Sequence, residues 1–563
     1  MLTRLLRGEP LALAALSLFA LLLFVLPLGL LFRVGLGEGP AALAEVLGSR
    51  SVLRALWHSL ESAGVSALGA LVIGTGLALA IGLTDLRAKG AFVFALLLPM
   101  MIPPHVTAIA WIQALGPASP VLLALHLAPG VGATHPLYSA GGVWLLLTLQ
   151  HAPLVFLVVL AALRSLPREM AEAARIAGAR PGRLLCRVLL PLLAPSLLAG
   201  FALAFVSALG NFGIPALLGG PARYTTLPVL IWRRLSSFGP SALRDVAMMS
   251  LLLALVAVAA IWGQSVLQRR ARSQVIGPPQ ESLRLSLGRW RGVVTGVLLA
   301  YGAATLVLPL ASLVATALVP TYGVRLSPAT LTWENFAEVL LRQGVTLRAF
   351  VNSGLTAGAA ALVLAGLSCL LAVFLTARSP ARRRLAGGIA GLAEVSYAIP
   401  GLVISIAFIL AFLRPLPVLG VSLYNTMWII ALAYLTAFFS VALKPVAAAW
   451  GQLDPSLDDA ARVSGAGFGR RMGRIFVPLT APAAASGAIL VFLTAYNEVT
   501  VSSLLWSTGH ETIGTVIFNY EDGGSTVLAA AMASVTVAAT AALMLGLDLA
   551  GRRLPKGVVP WRM

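Results

Sequence analysis

The chain has 563 residues, 59% hydrophobic and only 11% charged, with a formal net charge of +20 and a mean hydropathy of +0.93. A soluble globular chain is about a quarter charged, so this composition excludes a soluble fold and places the chain in a bilayer. Backbone groups in lipid must bond internally, which leaves helices or a closed barrel; the apolar runs are continuous rather than alternating, so the expected fold is all-α and integral to the membrane.

A crossing helix needs about 20 apolar residues. Runs of about that length fall near 11–33, 58–83, 91–115, 141–163, 189–218, 245–267, 292–318, 352–376, 387–412, 425–449, 478–506 and 527–550, which predicts about twelve spans. The first run follows Arg4 and Arg7, yet it is longer than a signal-peptide core and lacks a clear small-residue cleavage site. It reads as a retained helix. Proline interrupts the third span at Pro99, Pro103 and Pro104, and Pro400-Gly401 interrupts the ninth. Such breaks free backbone carbonyls and permit bending.

The basic residues sort by side. One set of loops and both termini hold 28 of the 40, the other loops hold 11, and Lys444 lies inside a span. By the positive-inside rule the richer side is cytoplasmic. Because the charge sits in clusters between spans, it argues for membrane topology and not for nucleic acid. Cys186 and Cys369 lie in unlike settings and make an unlikely disulfide. Neither they nor the six scattered histidines have metal-ligand spacing, so no metal or other cofactor is expected.

The strongest signal is a motif that occurs twice in the basic loops. Glu172-Ala173-Ala174-Arg175-Ile176-Ala177-Gly178 leads to Leu190-Pro191, and Asp459-Ala460-Ala461-Arg462-Val463-Ser464-Gly465 leads to Val477-Pro478. Acid, glycine and proline are each separated by 287 positions (172 and 459, 178 and 465, 191 and 478). Each copy fits a short helix. Alanine favours it, the acid suits its positive end, an arginine lies three residues on within pairing reach, and glycine ends it. The repeat extends outward: Leu43–Leu47 matches Phe336–Leu340, His58-Ser59 matches Asn352-Ser353, and Ile102-Pro103 matches Ile399-Pro400. Two six-helix halves in parallel orientation follow, with permease-type repeats over 57–265 and 351–549, joined by a basic linker at 268–291.

Glu-Ala-Ala-x-x-x-Gly followed by Leu-Pro resembles the signature of ABC importer permeases, whose loop forms a coupling helix that inserts into an ATPase subunit. The second copy departs from it mildly, with Asp459 for Glu and Val477 for Leu. The resemblance implies that Glu172, Ala173, Ala174, Gly178, Asp459, Ala460, Ala461 and Gly465 contact two copies of an ABC ATPase. It also implies a periplasmic solute-binding protein as donor of the solute. Phe205–Leu218, with Asn497–Thr500 and Gly509–Thr512 in the second half, is similar to the ferric-iron and thiamine branch. Ferric iron is therefore the expected solute, with thiamine, a polyamine or a phosphonate as alternatives. No Gly-Lys pair occurs anywhere, so a phosphate-binding loop of the usual pattern is absent and energy must come from another subunit or from an ion gradient.

Polar residues at membrane depth usually face a pathway or a partner helix. Glu498 and Asn211 share the 287 offset, and Asn497 precedes Glu498. All three are candidates for a translocation path, with helix–helix hydrogen bonding as the alternative. A gradient-driven transporter using Glu498 as its carboxylate would explain the halves but not the paired loop motif. A membrane enzyme would want paired acids or a metal cluster at the interface, which the other loops do not show.

Overall fold

The structure is a computed structural model that describes residues 8–130, 132–164, 166, 168–237, 241–270, 286–415, 420–555, 558–559 and 561. Residues 271–285 of the expected linker lie outside the described residues. The first repeat contains α1 (Gly8–Leu36), α2 (Arg50–Leu83), α3 (Lys89–Met101), α4 (Pro104–Leu115), α5 (Ala140–Arg164), α6 (Arg168–Ile176), α7 (Gly182–Leu209), α8 (Gly213–Gly219), α9 (Leu227–Ser236) and α10 (Ala242–Arg270). The second contains α11 (Gly288–Ala317), α12 (Gly344–Leu375), α13 (Pro380–Ala398), α14 (Gly401–Phe412), α15 (Met427–Trp450), α16 (Ser456–Val463), α17 (Phe468–Tyr496), α18 (Ser502–Leu505), α19 (Ile513–Asp522) and α20 (Thr526–Ala550). Each helix of the first set has its counterpart ten places on in the second.

Among the described residues, eleven helices are long and apolar enough to cross a membrane, or twelve if the bent pair α13 and α14 counts as one. Four expected spans are not continuous. The run 387–412 is bent by 113° between Ala398 and Gly401, and the run 91–115 breaks at the matching residues. Ile102 and Ile399 are both extended (φ −80°, ψ 130° and φ −73°, ψ 129°). A residue before proline is pushed out of the helical region, and Pro103 and Pro400 follow. The runs 189–218 and 478–506 also break, ending at Leu209 and Tyr496 before resuming as α8 and α18.

Proline shapes four spans more gently, two of them also among the broken ones. A five-residue π-turn precedes each of Pro27, Pro191, Pro309 and Pro478: Leu21–Val25, Leu185–Leu189, Ala303–Val307 and Met472–Phe476. Proline cannot donate, and its ring crowds the carbonyl four residues back. The wider turn, closed by the residue just before each proline bonding five positions back, accommodates the ring without breaking the helix.

The repeats are echoed in single hydrogen bonds. Ser59 Oγ accepts from Leu227 N–H at 2.7 Å, and Ser353 Oγ accepts from Ile513 N–H at 3.0 Å. The preceding residues, His58 and Asn352, bond the Thr225 and Glu511 carbonyls at 3.1 and 2.9 Å. The two sets are also interleaved, because their first helices cross over. α1 packs on the second repeat, where Phe19 meets Phe439 with ring centroids 5.6 Å apart and Thr436 Oγ1 donates to the Leu23 carbonyl at 3.1 Å. α11 packs on the first, with Leu313 in one core with Ile102 and Ile109. At its start, the Leu287 N–H and the Arg291 guanidinium hold the Asp85 carboxyl below the usual carboxylate range.

Small residues let the long helices touch, as membrane packing requires. A Cβ at Gly74 of α2 would lie 2.6 Å from the Ala152 carbonyl oxygen and 2.8 Å from Val155 Cβ on α5. Gly74→Ala is expected to cost about 1–3 kcal/mol, read as a lower thermal midpoint of the detergent-purified chain. Gly76→Ala, which meets nothing within 4 Å, should leave that midpoint unchanged or slightly raised.

Candidate functional site

The two motif copies form the short helices α6 and α16, and both end in the same way. Gly178 and Gly465 are left-handed, with φ of 80° and 75°. The Gly178 N–H donates to the Arg175 carbonyl and the Ala179 N–H to that of Ala174, both at 2.9 Å. Gly465 to Arg462 and Ala466 to Ala461 repeat the pattern at 3.0 Å. This paired 5→2 and 6→1 closure is the Schellman motif, and its positive φ selects glycine.

The closure decides which side chains point outward. Ala174 is half-buried and Ala461 buried, whereas Ala173 and Ala460 are exposed, so one alanine of each pair anchors the helix and the other faces out. Glu172 and Gly178 are exposed, as is Gly465. The sequence reading passed over the most exposed residues. Ile176 is 88% exposed and Val463 is 90% exposed, and they stand 287 positions apart like the rest of the motif. Met170 and Leu457, again in register, are each 40% exposed. Each helix thus offers a strip of alanine and aliphatic carbon beside an acid. The shared register was the signal that could have found Ile176 and Val463.

The charges of the second copy are arranged differently from the expected pairing of Asp459 with Arg462. Asp459 pairs with Arg378 instead. Arg462 pairs with Asp458 at 2.7 Å and with Glu9 of α1 at 3.3 Å. Glu9 also pairs with Arg382 and with Arg471, and Arg471 pairs with Asp458. Glu9 and Arg471 are both buried. Removing one partner of a buried pair leaves an uncompensated charge, at a cost of about 3–5 kcal/mol.

Asn211, Asn497 and Glu498 gather at the seam between the repeats, where α7 and α17 end. Asn211 Oδ1 accepts the Ile214 N–H at 3.2 Å. Glu498 makes the same bond in the second repeat, to the Val501 N–H at 2.6 Å, and adds the Ser502 N–H at 3.1 Å. Both side chains therefore satisfy the first amides after a break. Asn497 Nδ2 donates across the seam to the Met101 carbonyl at 3.2 Å, and to Thr540 Oγ1 at 3.3 Å. In the first repeat Gly210 takes the place of Asn497, and a Cβ there would lie 3.2 Å from Pro400 Cβ. Each repeat thus presses the end of its broken span on the proline break of the other.

Beside this seam, Phe212, Trp232 and Phe518 form one aromatic cluster. Phe212 and Phe518 centroids lie 5.3 Å apart, and Trp232 meets Phe518 edge-on at 5.7 Å. A cavity of about 280 Å³ adjoins it, between α9 and the segments 503–506 and 515–519.

Residues 70–273 and 366–559 each match the family of binding-protein-dependent transport system inner membrane components. The chain belongs to that family, and its two copies, with the fold described above, make it a fused two-repeat, multi-pass permease of an ABC importer. Such permeases work with an ATPase and a binding protein. A probable ABC transporter permease protein of Sinorhizobium fredii is 26% identical over 94% of this chain and 92% of its own length. The ferric transport system permease protein FbpB of Actinobacillus pleuropneumoniae is 25% identical over 98% of this chain and 80% of its own. A probable molybdenum ABC transporter permease protein of Haloferax volcanii is 33% identical, but over 45% of this chain and 88% of its own, the length of one repeat.

An unpaired buried amide costs about 1–3 kcal/mol, so Glu498→Ala, which orphans two, is expected to lower the chain's thermal midpoint more than Asn211→Ala, which orphans one. Asn211→Ser keeps a neutral acceptor oxygen at the same position and should lower the midpoint less than Asn211→Ala.

Proposed function

We propose that this permease imports ferric iron, delivered by a periplasmic binding protein, and that two copies of a separate ABC ATPase drive it through α6 and α16. The observation that carries the reading is the pair of motif helices with one cap geometry and matched exposed residues, Ile176 and Val463. A permease responds to ATP only if its contacts differ between the two ATPase states, and two equal helices offer two such contacts. Glu172, Ala173, Gly178, Asp459, Ala460 and Gly465 frame the docking surface, while Ala174 and Ala461 seat each helix on the bundle. In this reading the motif face and both termini are cytoplasmic, in keeping with the positive-inside distribution.

Alternating access follows from the seam. The cluster of Phe212, Trp232 and Phe518 closes the two repeats at the face of α9 and α19, and separating the repeats would part it. Asn211, Asn497 and Glu498 shape the path by fixing the helix breaks that border it. Ferric iron is favoured because the relatives carrying that name align over nearly the whole fused chain, FbpB of Actinobacillus pleuropneumoniae over 98% of it. The molybdenum likeness covers one repeat.

A non-glycine residue in the left-handed region costs roughly 1–2 kcal/mol, more for a branched one. Gly178→Val or Gly465→Val is therefore expected to abolish uptake while the chain still inserts in the membrane at normal levels. Normal uptake by either variant would contradict the docking role. For the solute, ATPase activity of the purified complex should rise with an iron-loaded binding protein and stay flat with thiamine- or polyamine-loaded ones. Stimulation by either of the latter would overturn the choice of iron.

A further inference from the structure

The two motif helices have the same shape but not the same support. Behind α16 lies a chain of charges with Glu9 and Arg471 buried at its centre: Glu9 of α1 pairs with Arg471, Arg471 with Asp458, and the more exposed Arg462 bridges Asp458 and Glu9. The Arg471 guanidinium lies 5.9 Å above the Phe468 ring, and a Cβ on Gly8 would lie 3.2 Å from Phe468 Cδ1, so α1 is seated there by packing as well as by charge. At the corresponding places in the first repeat stand Ala171 for Asp458 and Leu184 for Arg471, 287 positions earlier. The crossover helix that docks on the first repeat is α11, whose π-turn and proline lie 282 positions after those of α1. On that register Arg291 takes the place of Glu9, and it pairs with Asp85 in the loop after α2.

We propose that Glu9 is a positioning residue for α16: α1, crossing over to the second repeat, braces that docking helix through Arg471 and Asp458, so that the two docking helices transmit force unequally. A carboxylate shared by three guanidinium groups is held from three sides, and Arg471 uses one nitrogen for Glu9 and the other for Asp458, which ties α1 to α16 through charge-assisted bonds. Behind the first docking helix Leu184 and Ala174 pack in one apolar cluster, and the residues present there cannot form the Asp458–Arg471 pair. This inference rests on the docking role of α6 and α16 only for its functional consequence; the brace itself is a property of the chain alone.

The test has two arms on the full chain. In detergent, hydrogen exchange of the peptide 456–466 is compared with that of 169–179 in Glu9→Gln, which keeps size and removes charge. The expected result is exchange about five-fold faster in 456–466 with 169–179 unchanged, as for a local opening. Arg471→Leu, which installs the residue the first repeat carries, should give the same pattern, and the double variant should add little. Equal exchange in Glu9→Gln and the unaltered chain, or acceleration spread over every peptide, would overturn the brace. The second arm measures ATP hydrolysed per ferric ion taken up by vesicles bearing the complex with its ATPase and the iron-loaded binding protein. The ratio is expected to rise about three-fold in Glu9→Gln at equal complex content. Local loosening with an unchanged ratio would leave Glu9 a structural contact and overturn its positioning role. Failure of the docking reading would show differently, as normal uptake by the Gly178→Val and Gly465→Val chains.

Discussion

The structure depends on one constraint: in a bilayer every backbone N–H and carbonyl needs a partner within the protein, because water is not there to supply one. Unbroken helices meet it automatically. This chain breaks four of its spans and meets it with side chains. Gln150 Nε2 takes the Ile102 carbonyl at 3.3 Å, Asn497 takes that of Met101, and Ser405 Oγ takes that of Val501 at 2.8 Å. Asn211 and Glu498 take the amides on the other side of their breaks. These five polar side chains let the chain turn inside the membrane.

Those turns build the seam. A broken span can end in mid-bundle and press on the opposite repeat, as Asn497 does on Met101 and Gly210 on Pro400. A seam made of short helices and turns has fewer long interdigitated surfaces than two full helices would. Close backbone approaches between long helices lie elsewhere, at Gly74 of α2 against Ala152 of α5 and at Gly487 of α17 against Ala442 of α15. The crossover of α1 and α11 ties each repeat to the other and gives the two motif helices different backing.

Much of this was legible in the sequence because hydropathy and repetition are strong signals. The spans, the two repeats and the two motif helices with their glycine ends all follow from apolar runs and one constant offset. The breaks were half legible. Pro103 and Pro400 marked two of them, but Asn211 and Glu498 read as polar residues within continuous spans, since no proline or charge cluster marks the ends at Leu209 and Tyr496. Their bonds to Ile214, Val501 and Ser502 are contacts three and four residues away, which a hydropathy pattern does not register. Ile176 and Val463 were hidden for another reason. An aliphatic residue in a membrane protein is expected to be buried, and only the cap geometry turns these two outward. The ion network of Glu9 joins residues more than 370 positions apart, and no local pattern announces it.

One chain that offers two docking helices of the same shape, however each is backed, fixes the stoichiometry of the complex. Native mass spectrometry of the complex extracted from membranes in mild detergent should show one permease chain with two ATPase subunits. Single cysteines in place of Ile176 and of Val463 should each cross-link to one of them. A permease that carries no ATPase, or one ATPase reached from only one of the two positions, would contradict the account.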